Sequence, residues 1–136
     1  MTSVHIVLLY AGILGLLLVV LSFNMMKSWV HAAGQGKHSD PDLRRAEALV
    51  SSFTDYVPLT LFLIGLVEAS GAPAFALHAL GFLLVIARLM HAFGSNHTRN
   101  SDALRFLGAQ LTYLVLTIAS FSCLYVFAMP MLVGLK

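Results

Sequence analysis

The sequence predicts an all-α membrane protein: a single domain over residues 1–136 with four transmembrane helices. Three observations carry this. Of the 136 residues, 59% are hydrophobic and 10% charged, with a mean hydropathy of +0.87, too apolar for a soluble domain of this size. Apolar runs at 4–26, 49–67, 73–87 and 103–132 approach or exceed the roughly 20 residues needed to span a bilayer once flanks are counted. Basic residues concentrate around two of the three connections: Lys27, Lys37, Arg44 and Arg45 at the first, and Arg88, Arg99 and Arg105 at the third. By the positive-inside rule, loops 1 and 3 face the cytoplasm and both termini lie outside. The predicted helices run over 3–28, 42–70, 73–93 and 102–132.

The first helix has no charge between 4 and 26. No Lys or Arg precedes it and it exceeds the usual h-region, so it is read as a retained helix rather than a signal peptide. Ala11 and Gly15 stand at i and i+4, a spacing that lets helices approach closely. Asn24 suits an interhelical bond, and Lys27 and Trp29 suit the interface, with Lys27 also able to meet an anionic ligand. The following stretch, HAAGQGKHSDPDLRR, reads as a solvated connection. Asp40 or Ser39 can cap the second helix, with Pro41 in the first turn and Asp42 favourable to the helix dipole.

The second helix changes character along its length. Arg44, Ala48, Ser51, Ser52, Asp55 and Leu59 fall within about a third of its circumference, and the helix is apolar all round afterwards. With entry near Leu49, Asp55 lies roughly 9 Å inside the bilayer, where a carboxylate needs a partner or water. Pro58 removes the N–H that would bond the Thr54 carbonyl and favours a kink beside Asp55. Residues 68–73, EASGAP, form a tight turn that makes helices 2 and 3 an antiparallel pair, with Glu68 read as solvated.

Helix 3 ends in RLMHAFG, where Arg88 and His91 share a face at i and i+3. Arg88 is a candidate partner for Asp55 on electrostatic grounds. In the third loop Asn96, His97 and Thr98 match a glycosylation sequon, whose use is not expected on the cytoplasmic side. Asp102 or Ser101 can cap helix 4, and Arg105 sits one turn in. Tyr113, Thr117 and Ser120 form a polar stripe suited to interhelical hydrogen bonds, and the single cysteine, Cys123, reads as core.

Lys27, His31, Arg44, Arg45, Asp55, Tyr56, Arg88, His91 and Arg105 therefore gather at one end of the bundle. Such an electropositive pocket at a lipid boundary suits an amphipathic anion with a carboxylate or phosphate. Phospholipid headgroups would satisfy the same charges.

The acid-Tyr-x-Pro element of Asp55, Tyr56 and Pro58, the apolar run to Glu68 and Gly71, and ARLMHAFG at the end of helix 3 resemble the MAPEG family, the membrane-associated proteins in eicosanoid and glutathione metabolism. The resemblance covers most of the chain and is closest to the short bacterial branch, which implies a bacterial inner-membrane location. It implies a left-handed up-down four-helix bundle assembled as a homotrimer, with glutathione as co-substrate between subunits toward the cytoplasm. Asp55 stands where the family usually has Glu, and would hold the glutathione amino group. Tyr56, Arg88, Arg44, Arg45, Ser52 and Lys27 complete the implied glutathione set. Two positions depart from the pattern: Ser52 replaces a common Asn and Ala48 a common Arg. Losing that Arg removes a contact worth about 1.5–3 kcal/mol, unless Arg44, Arg45 or Lys27 reaches the same group.

A transferase of this kind needs a thiolate, stabilised by a nearby cation. The resemblance makes Arg105 the candidate for that role, with His91 either assisting as a donor or simply satisfied at the interface. The second substrate is then an apolar electrophile or lipid hydroperoxide entering from the membrane. The competing reading is a non-catalytic lipid-binding relative, since Ala48 and Ser52 weaken the glutathione motif. A small multidrug transporter would carry an acid deep in helix 1, and none is present. Haem is not expected: His78 and His91 lie about 20 Å apart along helix 3, and His5 and His31 about 39 Å apart along helix 1. The histidines lack metal-ligand spacing. Neither metal nor nucleic acid is an expected partner.

Overall fold

A computed structural model describes residues 4–36, 40–94 and 101–134 of the chain. It contains α1 (His5–Gly34), α2 (Pro41–Ala69), α3 (Ala74–Gly94) and α4 (Ser101–Gly134). All four are long and apolar enough to cross a membrane. The first helix runs farther than the sequence suggests. His31, Ala32 and Ala33 continue α1, because alanine favours helix and Ala32 finds a buried site, 2% exposed. The turn then closes through Gln35 N–H to the Ala32 carbonyl and Gly36 N–H to the Ala33 carbonyl.

Asp40 caps α2 as expected: its carboxylate accepts from the Asp42 amide at 3.1 Å, with Pro41 in the first turn. The alternative cap Ser39 lies outside the described residues, as do Lys37, Arg99, the Asn96–Thr98 sequon and the cap-forming side chains of Ser101 and Asp102. α2 continues as one helix through Pro58. The turn after α2 is tied by Ser70 N–H to the Leu66 carbonyl and Gly71 N–H to the Glu68 carbonyl. Gly71 adopts a φ of 91°, which an L side chain tolerates poorly.

Consecutive helices run antiparallel. Glu68 at the end of α2 meets the start of α1, and Gly108 near the start of α4 meets His91 near the end of α3, so the end of α1, the start of α2, the end of α3 and the start of α4 share one side, with the tight α2–α3 turn on the other. α2 and α3 each touch every other helix, and among the described residues α1 and α4 do not touch. The core is a column of side chains between them, including Leu14, Phe53, Val57, Ile64, Leu77, Leu84 and Val115, all nearly inaccessible. Large apolar residues such as Phe121 and Phe127 on α4 and Leu16 and Val19 on α1 remain exposed, as lipid contact requires.

Close approach between helices occurs at glycines other than Gly15, around which the space is open. At Gly81 the ring of Tyr10 lies where a Cβ would stand, and this places the Tyr10 hydroxyl 3.0 Å from His78 Nδ1 and 3.2 Å from the His78 carbonyl. At Gly108 a Cβ would meet the His91 nitrogen at 2.6 Å and the Ala87 carbonyl oxygen at 2.7 Å. α3 and α4 are thus in backbone contact there.

Two further expectations are corrected. Glu68 is 8% exposed rather than solvated. Its two oxygens accept from the Ile6 amide at 2.7 Å and the Val7 amide at 2.8 Å. The N-terminus of α1 has no side-chain cap of its own, so the far end of α2 supplies one. On α4, the hydroxyls of Thr117 and Ser120 do not bridge helices. They bond back to the Tyr113 and Leu116 carbonyls at 2.7 and 2.8 Å, satisfying themselves within one turn. Cys123, half-buried against the core, makes the interhelical contact instead, its thiol 3.5 Å from the Leu63 carbonyl.

Candidate functional site

The exposed face of α2 carries Arg44, Ala48, Ser51, Asp55 and Leu59, as its periodicity predicts. Asp55 stands fourteen residues from each end of α2, about 21 Å from either. It forms no ion pair among the described residues. Arg45 pairs within its own helix with Asp42 at 3.9 Å, both partly exposed, which fixes little.

Arg88 does not neutralise Asp55. It is 2% exposed and turns between α2 and α4, where Nη1 donates to Ser52 Oγ at 3.3 Å and the guanidinium lies 5.2 Å from the Phe53 ring centroid. Its Nε is buried with no hydrogen-bond partner. The reason for the different pairing is geometric: Ser52 lies on the inner edge of α2 and Asp55 on its outer face. A positive charge is thereby held inside the bundle against neutral partners, with no carboxylate paired to it among the described residues.

Tyr56 is half-buried one position beyond Asp55 and packs edge-to-face on Tyr113 of α4, with ring centroids 5.3 Å apart. Tyr113 is also within electrostatic reach of Arg88. Tyr56, Ser52, Arg88 and Tyr113 therefore form one interhelical group. Of the stripe Tyr113, Thr117 and Ser120, Tyr113 makes the expected interhelical hydrogen bond, to Tyr56, while its place beside Arg88 has no signal within its own helix. His91, one turn beyond Arg88, packs on the start of α4, its backbone nitrogen against Gly108 and its imidazole hydrogen-bonded to the Arg105 backbone. Arg105 itself is exposed, as are Arg44 and His31.

Lys27 is set apart. It lines a groove of about 420 Å³ with residues of α1, α2 and α3, and its Nζ lies 5.1 Å from the Phe23 ring centroid. Its α2 neighbour there is Leu49, roughly 100° around the helix from Ala48.

The chain matches the MAPEG family over residues 7–125. It belongs to the MAPEG family. It is also similar to the inner membrane protein YecN of Escherichia coli K12, with 32% identity over 92 residues, 65% of this chain and 69% of the relative. The YecN of Escherichia coli O6:H1 strain CFT073 matches to the same extent. That relative's name gives a membrane location and no catalytic activity. No solved structure matches the chain. For this MAPEG protein, the matched span takes in all the elements that build the α2 face and the Arg88 group.

Proposed function

We propose that the chain is a membrane-bound, glutathione-dependent transferase or peroxidase-like protein acting on apolar electrophiles or lipid hydroperoxides. Glutathione binds between subunits of a homotrimer, at the end bearing loops 1 and 3, which faces the cytoplasm of a bacterial inner membrane. The observation that carries this reading is Asp55: an exposed carboxylate within a spanning helix that forms no ion pair among the described residues. Such a group is costly against lipid, and an ammonium from a ligand held by a neighbouring subunit removes the cost. Arg44, three turns nearer the helix start on the same face, meets an anionic end of the same ligand, with Arg45 beside it. Ser52 and Tyr56 border the face, and buried Arg88 raises the positive potential beneath it. Arg105, at the start of α4, stabilises the thiolate, and His91 holds that segment in place.

Titration of glutathione into the detergent-purified protein, followed by thiolate absorbance in the ultraviolet, tests this. A saturable thiolate signal at neutral pH, lost in Arg105→Ala and weakened in Asp55→Ala, is the expected result. Absence of binding at millimolar glutathione overturns the reading. Ala48 and Ser52 favour the second reading, a non-catalytic lipid-binding MAPEG protein, which predicts binding of lipid without thiolate formation.

A further inference from the structure

Toward the end of the bundle that carries the α2–α3 turn, α1 and α3 meet through a polar pair that the glutathione reading does not use. Tyr10 is 8% exposed, with its ring against the Gly81 backbone, and its hydroxyl lies 3.0 Å from His78 Nδ1 and 3.2 Å from the His78 carbonyl oxygen. The two rings meet edge to face, with centroids 5.8 Å apart. Tyr10 stands about 8 Å from the start of α1 and His78 about 6 Å from the start of α3. His78 itself is exposed. Leu9 and Ile13, beside Tyr10 on α1, are exposed as well, so acyl chains run past the pair.

A phenol in an apolar surround resists losing an electron alone, because the cation radical left behind is a charge without water. A base already hydrogen-bonded to the O–H removes that obstacle by taking the proton in the same step. Tyr10 has such a base: with the imidazole proton on Nε2, the Tyr10 hydroxyl donates to Nδ1. Tyr56 and Tyr113 instead meet each other, and Tyr125 is exposed on α4. After transfer, Nδ1–H stays beside the phenoxyl oxygen and can return the proton on reduction. Burial of the Tyr10 ring keeps the radical from coupling with a second one.

We infer that Tyr10 and His78 form a proton-coupled redox site that quenches lipid peroxyl radicals. The Tyr10 O–H bond breaks: its electron reduces the peroxyl radical to a peroxide anion, and its proton passes to His78 Nδ1. The imidazolium then releases its Nε2 proton, and the peroxide anion takes up a proton to become a lipid hydroperoxide. Tyr10 is left as a neutral phenoxyl radical. The step uses no glutathione and does not depend on the glutathione reading.

The full-length protein is reconstituted in vesicles of polyunsaturated phosphatidylcholine, peroxyl radicals are generated with a lipid-soluble azo initiator, and frozen samples are examined by electron paramagnetic resonance. The wild-type protein should show a phenoxyl signal whose hyperfine lines narrow with ring-deuterated tyrosine, together with a lag before lipid oxidation. Tyr10→Phe keeps the ring against Gly81 and removes only the hydroxyl, so both the signal and the lag should be lost. His78→Asn keeps an acceptor but no base, and should lower the radical yield about tenfold, the scale of one lost hydrogen bond to a charged group. Tyr125→Phe should change neither. Absence of a phenoxyl signal in the wild-type protein overturns the inference. So does a signal that persists in Tyr10→Phe, one that is lost in Tyr125→Phe, or a wild-type yield in His78→Asn. The wild-type and Tyr10→Phe samples stand as a test even if His78→Asn fails to fold.

Discussion

Removing the Glu68 carboxylate should release the beginning of α1. In Glu68→Ala the amides of Ile6 and Val7 lose acceptors at 2.7 and 2.8 Å, and among the described residues α1 has no other side-chain cap. Hydrogen bonds to a charged group contribute about 1.5–3 kcal/mol each, and a helix cap about 0.5–2 kcal/mol. The two bonds share one carboxylate and the helix end can recruit water, so the local loss should be about 3 kcal/mol rather than the sum of both maxima. An opening equilibrium changed by that amount raises amide exchange about a hundredfold. Hydrogen–deuterium exchange of the N-terminal peptide of detergent-solubilised protein reads this directly. Glu68→Gln keeps one acceptor and should show roughly half the free-energy change. The reasoning fails if the peptide containing Ile6 and Val7 exchanges at the wild-type rate in Glu68→Ala while the melting temperature also stays unchanged.

Two further substitutions separate packing from electrostatics. Gly108→Ala places a methyl group 2.6–2.7 Å from the α3 backbone, which has no flexible end to yield, so α3 and α4 must separate. A stability loss of about 1–3 kcal/mol is expected, seen as a lower melting temperature in detergent, and an unchanged melting temperature would contradict the observed approach. Arg88→Met replaces a buried cation by an apolar chain of similar length. It should leave stability unchanged or higher while weakening glutathione binding about tenfold, or about 1.4 kcal/mol, in calorimetric titration. Lower stability with undiminished binding would assign Arg88 a purely structural part.

The elements that could be read in the sequence are those determined within one helix. Apolar length and periodicity place α1 to α4, and Asp40 followed by Pro41 marks the start of α2, because a cap and its acceptor are two residues apart. The polar face from Arg44 to Asp55 is legible for the same reason: its residues share a helix. Contacts that require two helices were less accessible. Glu68 meets amides 61 and 62 residues away, and nothing near it in sequence distinguishes a capping carboxylate from a solvated one. Ala11 and Gly15 have the spacing of a close-packing pair, yet the backbone approaches occur at Gly81 and Gly108, because a neighbour's shape decides which small residue is used.

Arg88 shows how a small change in helix phase alters the chemistry of a site. Sequence placed Asp55 and Arg88 at one level, and opposite charges at one level in a membrane suggest a pair. Ser52, however, comes three residues before Asp55 and so lies about 60° away around α2, and it is Ser52 that faces inward to meet the guanidinium. The consequence is two separated charges: among the described residues, Arg88 inside the bundle has no carboxylate partner and Asp55 outside it has no cation partner. Had the two paired, both would be neutralised and the α2 face would be inert toward a charged ligand. Kept apart, each retains the ability to act on a ligand at that face, Asp55 by contact with a cationic group and Arg88 by its field on an anionic one. The cost of leaving both uncompensated inside a single chain is the physical reason to expect that face to be covered, by a ligand and a second subunit, rather than by lipid.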